Sequence, residues 1–184
     1  MRLGVRMMVA VAAALWLAAA CGRDEGGGAR GTESELPEEI IAAFTTEETD
    51  SGRIRWRLNA PEARRFARRK VFVMDEPRIH FFDKDGRLQT TLTSRSGEYL
   101  LDSHDMVAYG DVVVVSVEGD VLETDSLRYV NQTDRIVSDS FVKLTRGNDV
   151  ITGYGLECDH ELGAVDIKRD VKARIIDDEG NLVE

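Results

Sequence analysis

The chain has 184 residues, with 24 Lys and Arg against 34 Asp and Glu and a formal charge of −10. That length suits one domain with additions. An acidic chain without a basic stripe is a poor partner for phosphate backbones, so nucleic acid is not an expected ligand.

Arg2 and Arg6 precede an apolar stretch from Met7 to Ala20. Fourteen residues fall short of the roughly 20 that span a bilayer. The pattern is that of a signal peptide, a basic n-region before an apolar h-region. Ala18, Ala19 and Ala20 stand directly before Cys21, at the break from apolar to polar sequence. Small residues before a cysteine form a bacterial lipobox, so diacylglycerol attachment at Cys21 is expected. An ordinary secretory signal and a short membrane anchor are the alternatives. Two or three acyl chains at Cys21 would hold the protein to a membrane outside the cytoplasm. Gly22 leaves the choice of membrane open. Loss of residues 1–20 leaves 22 basic against 34 acidic residues, a charge of −12. With Cys21 modified, only Cys158 remains, so no internal disulfide is possible and stability must come from the core.

Residues 22–39, GRDEGGGARGTESELPEE, are rich in Gly and Glu with almost no apolar side chains. They read as a flexible tether. From about Ile40, short runs of Val, Ile, Thr, Phe and Tyr alternate with turn signals: DSG at 50–52, DKDG at 83–86, EGD at 118–120, NQTD at 131–134, RGND at 146–149 and DDEG at 177–180. No long stretch keeps a helical period. Short strands at such spacing predict an all-β sandwich or barrel. Residues 60–70, APEARRFARRK, read as a strand end and loop.

A unit of roughly 30 residues recurs. Tyr99, Tyr129 and Cys158 fall 30 and 29 residues apart, and so do Val112, Val142 and Val171, and Leu92, Leu122 and Ile151. Strand side chains alternate between faces. Val142 and Leu144 therefore oppose Phe141 and Lys143, and Val171, Ala173 and Ile175 oppose Lys172 and Arg174, with the first set of each expected inside. By alignment Val112 and Val114 point inward, and Val113 and Val115 point out. Parity breaks between Thr124 and Leu127, between Gly153 and Leu156, and between Ser94 and Gly97. One extra residue at one place in each unit predicts a β-bulge there, which would curl the sheet. Cys158 shares the tyrosine column and reads as a small buried hydrophobe.

Catalytic chemistry finds no support. His80, His104 and His160 lack zinc-site spacing. DKDG lacks the distal Glu of a calcium loop and reads as a hairpin turn. No G-x-S-x-G occurs, and no Gly-rich phosphate loop follows a strand. No enzyme activity, metal or cofactor is expected.

The segments TEETDSGRIRWRLNAPEARRF (46–66), FFDKDGRLQTTLTSRSGEY (81–99), AYGDVVVVSVEGDVLETDSLRYV (108–130), RIVSDSFVKL (135–144) and ITGYGLECDHELGAVDIKRDVKARI (151–175) together resemble the LptC family of lipopolysaccharide-export proteins. The resemblance implies the open, twisted antiparallel β-jelly roll shared with LptA and periplasmic LptD. With it, the chain divides into a lipoprotein signal peptide (1–20), a lipidated N-terminus and linker (21–44) and one jelly-roll domain (45–184). It implies a protein at the periplasmic face of the inner membrane. Such a protein would accept lipopolysaccharide from an ABC transporter with LptB-, LptF- and LptG-like subunits and pass it to an LptA-like bridge protein. Known members are anchored by an uncleaved helix, where this chain has a lipobox.

On this reading Leu92, Val112, Val114, Leu122, Tyr129, Val142, Leu144 and Ile151 wall an apolar groove for acyl chains. The same residues suit a closed core equally well, and the sequence leaves both open. A truncated last repeat would leave Val171, Ala173 and Ile175 on an unpaired edge, ready to take a partner's strand. A scaffold lipoprotein that carries no lipid and a secreted binder of sugar or protein are the competing functions.

Overall fold

A computed structural model describes residues 36–176 and 182–183. The proposed signal peptide, Cys21, residues 22–35 and the DDEG turn lie outside the described residues. Twelve strands follow one another: β1 (Glu39–Asp50), β2 (Arg53–Phe66), β3 (Val71–Asp75), β4 (Arg78–Phe82), β5 (Leu88–Thr93), β6 (Ser96–Leu100), β7 (Met106–Ser116), β8 (Val121–Val130), β9 (Arg135–Arg146), β10 (Asp149–Asp159), β11 (Val165–Ile176) and β12 (Leu182–Val183). The described residues contain no helix. β1 carries Phe44 into the core, so the fold begins at Glu39, earlier than the expected 45. β2 likewise runs through Pro61 to Phe66, where a loop was expected.

All pairings are antiparallel, and the strands form one sheet in the order β12-β11-β10-β9-β8-β7-β5-β4-β2, with β1 on the far side of β2. β3 and β6 occupy a second stretch of the same ladder: β2 pairs with β4 over Trp56–Asn59 and with β3 over Glu62–Phe66. β7 likewise pairs with β6 at one end and β5 at the other. The sheet is thus folded across its strands, and each long strand contributes to two half-sheets.

The fold line is written in irregular backbone. Pro61, which has no N–H to give to a ladder, interrupts the β1–β2 pairing opposite Ala43 (φ 52°) without shifting its register. Between β3 and β4 the chain leaves the ladder at Glu76 and Pro77, and between β5 and β6 at Ser94 and Arg95. In β7 the line falls on Gly110 and Asp111, both at positive φ, in β9 between Ser138 and Phe141, and in β11 at Asp170.

The predicted parity break in β8 is present, since Leu122 and Thr124 on one side and Leu127 and Tyr129 on the other are all buried. The unpaired extra residues sit elsewhere than expected. Tyr109 pairs with Ser126 and Val112 with Thr124, which puts the surplus on β7. The same comparison puts it on β9 and β11. The Ser94–Gly97 break is a true interruption between β5 and β6, not a bulge.

Inner faces are apolar on both halves. One row runs Leu58, Ile79, Leu92, Val114, Leu122, Leu144, Ile151, Ala173 across successive paired strands. The facing half carries Phe72, Tyr99, Met106, Tyr129, Ile136, Cys158 and Val165. Ring contacts join the halves: Trp56 to Tyr99 at 5.7 Å and Phe81 to Tyr129 at 5.1 Å between centroids. Each fully buried Leu or Val stabilises the fold by ~1.5–3 kcal/mol. Cys158 is buried as predicted, and burial pushes its thiol up to about 12, which keeps it unreactive.

Gly153 shows how closely β11 is laid on β10. A Cβ there would meet Ile167 Cγ2 at 2.5 Å and the Arg169 carbonyl oxygen at 2.7 Å. Backbone cannot swing aside as a side-chain tip can. We expect Gly153→Ala to lower the unfolding free energy by ~1–3 kcal/mol, measured in urea.

Candidate functional site

The folded sheet has a closed side, the fold line, and an open side where the hairpin turns of the two halves meet. The interior between them is where the sequence placed its groove. Leu92, Val112, Val114, Leu122, Tyr129, Val142 and Leu144 do converge there, but they are packed against one another with at most 2% exposure. They fill a core in this state. Ile151 is the exception, partly buried at the edge of the cluster.

The interior opens at the β11 end. Val171 and Ala173 continue the inner face yet stand exposed, Val171 at 54%. This corrects the expectation that alternation alone would bury them. An inner face is covered only where a facing half-sheet reaches it, and at the last long strand it does not. Val165 and Ile167, on the facing half, are only partly buried.

The edge residues divide. β12 pairs with Ile175 and Ile176 of β11. The expected docking edge is therefore already occupied at Ile175, whereas residues 165–174 have no pairing partner on that side among the described residues. Outside, Val115 is 41% exposed, as its parity predicted.

Polar side chains close the mouth. Glu48 and Thr49 pair with Trp56 and Ile54, so Arg55 is the extra residue of a bulge in β2, and bulges re-aim side chains. From there Arg55 donates to Glu48 at 2.8 Å and reaches across to the Tyr129 hydroxyl at 3.3 Å and Asp134 at 3.1 Å. Tyr129 donates to Asp134 at 2.6 Å. Trp56 Nε1 donates to Asn131 Oδ1 at 3.4 Å, and Asn131 Nδ2 donates to Glu48 at 3.0 Å. The buried Asp105 carboxylate accepts the Asn131 N–H at 2.9 Å and holds that turn in place. A second closure lies further along, where Arg146 donates to Asp120 at 2.7 Å and to the Leu162 carbonyl at 2.6 Å. Apart from Tyr129, which the repeat placed in an inner column, none of these residues stood out in the sequence. NQTD read there as a turn, and partners 74 to 83 positions apart carry no local signal.

His160 Nδ1 lies 3.4 Å from Asp134, and its ring stacks on Phe81. The His160 imidazole, the Tyr129 hydroxyl and Arg55 hold the Asp134 carboxyl well below the ordinary carboxylate range, against the opposing effect of partial burial. Burial, and then Asp134, push the Tyr129 phenol far above its usual value. A depressed carboxyl contributes stability above its unfolded pKa of about 3.9, and that contribution is lost as pH falls through the folded value. Between about pH 4 and pH 2, stability should therefore fall more steeply in wild type than in Asp134→Asn, followed by thermal unfolding at stepped pH.

Among the described residues there is no cluster of three possible metal ligands, and no helix is long and apolar enough to cross a membrane. The fold is similar to that of LptH, the LptA-homologous periplasmic component of the lipopolysaccharide transport device of Pseudomonas aeruginosa, with a TM-score of 0.52 and 15% identity over 65% of this chain and 94% of that one. At that identity the likeness establishes the β-jelly roll alone. No curated protein matches in sequence. The family model described as "Lipopolysaccharide-assembly, LptC-related" matches residues 7–176. The match spans the apolar N-terminal stretch, both half-sheets and β11, and the chain accordingly belongs to the LptC-related family, with a role in lipopolysaccharide transport.

Proposed function

We propose that this protein accepts the acyl chains of lipopolysaccharide from an inner-membrane ABC transporter, holds them between its half-sheets, and passes them to an LptA-like protein. The observation that carries the reading is the continuous inner apolar face, closed from β2 to β10 with Ile151 partly buried at its edge, and uncovered at β11. An acyl chain needs an apolar surface to lie on and a place to enter or leave it. The β11 end supplies both.

Cys21, as the lipidated first residue of the mature chain, would hold the domain to the membrane, with residues 22–35 as tether. The family match begins at Met7, so the apolar stretch belongs to the matched region. An LptA-like partner would add a strand to the free edge of β11 over residues 165–174, next to the uncovered inner face. Main-chain hydrogen bonds would give affinity, and Val171 and Ala173 would continue the apolar surface into the partner.

The competing scaffold reading has its own support: Val112, Val114 and Leu122 have no measurable exposure, as in a plain core. Photo-crosslinkers at Val114 and Leu144 in export-active cells separate the two. Lipopolysaccharide adducts support the conduit, and their absence supports the scaffold. Ala173→Pro should abolish capture of a purified LptA-like partner while the far-ultraviolet circular dichroism of the domain is retained. Undiminished capture would remove β11 as the docking edge.

A further inference from the structure

We propose that the mouth of the folded sheet is a gate, and that the contacts centred on Arg55 are its latch. The inference rests on the conduit reading above and adds how access to the interior is controlled.

Two facts about bonding carry it. First, the interior that would receive acyl chains is filled. Leu92, Val114, Leu122 and Leu144 are at most 2% exposed, so a chain can enter only if the half-sheets part. Second, the two sides of the interior are closed by different kinds of bond. At the fold line the halves are joined by the strands themselves, which cannot separate. At the mouth the halves are held by side-chain contacts: Arg55 to Tyr129 and Asp134, Asn131 to Trp56 and Glu48, His104 to Glu48, and Arg146 to the Leu162 carbonyl. Parting the mouth therefore breaks no strand pairing.

The geometry singles out Arg55 as the centre. It is the one residue that a bulge removes from the β1–β2 register at the mouth. It joins Glu48 on its own half to Asp134 on the other, with distances of 2.8 and 3.1 Å. Charge-assisted hydrogen bonds are stronger than neutral ones, yet Arg55 and Asp134 remain partly accessible, with 30% and 42% side-chain exposure. Such a pair holds the mouth shut without being locked beyond reach of water or an anionic competitor. An incoming lipid supplies apolar contacts that replace those of the parted core. A ligand that binds only the open form shifts the equilibrium towards it.

The two tryptophans are Trp16 and Trp56. Trp56 sits at the mouth with 1% exposure, so in the full chain carrying Trp16→Phe it reports opening directly. Arg55→Glu and Asp134→Arg, singly and together, should be compared in that background. Each single reversal should raise the open fraction about tenfold, the change produced by losing one charge-assisted hydrogen bond. It would be read as acrylamide quenching of Trp56 and as faster lipopolysaccharide photo-adduct formation at Leu144. The double reversal, which restores opposite charges, should return both towards wild type. Arg55→Gln, which removes charge without adding repulsion, serves if a reversal fails to fold. Singles that leave quenching unchanged, or a double that fails to restore it at an unchanged melting temperature, overturn the latch. Adducts in wild type at a rate no variant alters overturn gating but leave the conduit standing. Increased quenching with no adduct in any chain overturns the conduit, and gating of lipid with it.

Discussion

Every long strand of this protein must cross one fold line while keeping its apolar side chains on the inside. A strand alternates faces residue by residue, so a crossing made by an ordinary strand of the wrong length would turn the next inner residue outward. The chain meets the constraint with two kinds of crossing. β8 passes from Thr124 to Leu127 and β10 from Gly153 to Leu156, three residues on. Their neighbours take one more residue, from Ala108 to Val112 in β7 and from Ser138 to Val142 in β9. The longer crossings carry the register surplus, and the β7 crossing needs Gly110 and Asp111 at positive φ.

Once the sheet is folded in this way, its stability is anisotropic. Along the strands and across the ladder, backbone hydrogen bonds and packed rows act together. Across the mouth every contact is made by a side chain, and the polar ones lie at the strand ends and turns of hairpins far apart in sequence. Regions held by few interactions are those that open first. The same geometry explains why the apolar face fades towards β11. Each half-sheet covers the other only as far as both extend, and past β10 the inner face of one half looks onto solvent. The apolar surface is therefore covered for most of its length and bare at one end, beside a free strand edge, and the proposed relay rests on that arrangement.

The Val-rich run 112–115 illustrates how far parity reaches. Val112 and Val114 are fully buried, and Val115 lies on the outer face, as the alignment of repeats predicts. The same rule fails at Val171 and Ala173, because parity gives the direction of a side chain and not whether anything lies opposite. The bulges show a similar limit. A parity break in β8 is visible in its own sequence, but which strand carries the unpaired residue depends on register with its neighbours.

By itself, the sequence determined the β class, the turns, the inner columns through Val112, Val142 and Tyr129, the buried state of Cys158 and the family resemblance. These follow from local chemistry: alternation, turn residues, and spacing repeated along one chain. Only the tertiary structure decided that the inner columns close into a packed core, that β11 is left uncovered while Ile175 is paired, and that Arg55, Glu48, Asn131 and Asp134 meet at the mouth. The physical reason is distance along the chain. Those contacts join residues that become neighbours only when the sheet is folded in half, and nothing in the residues between them records the meeting.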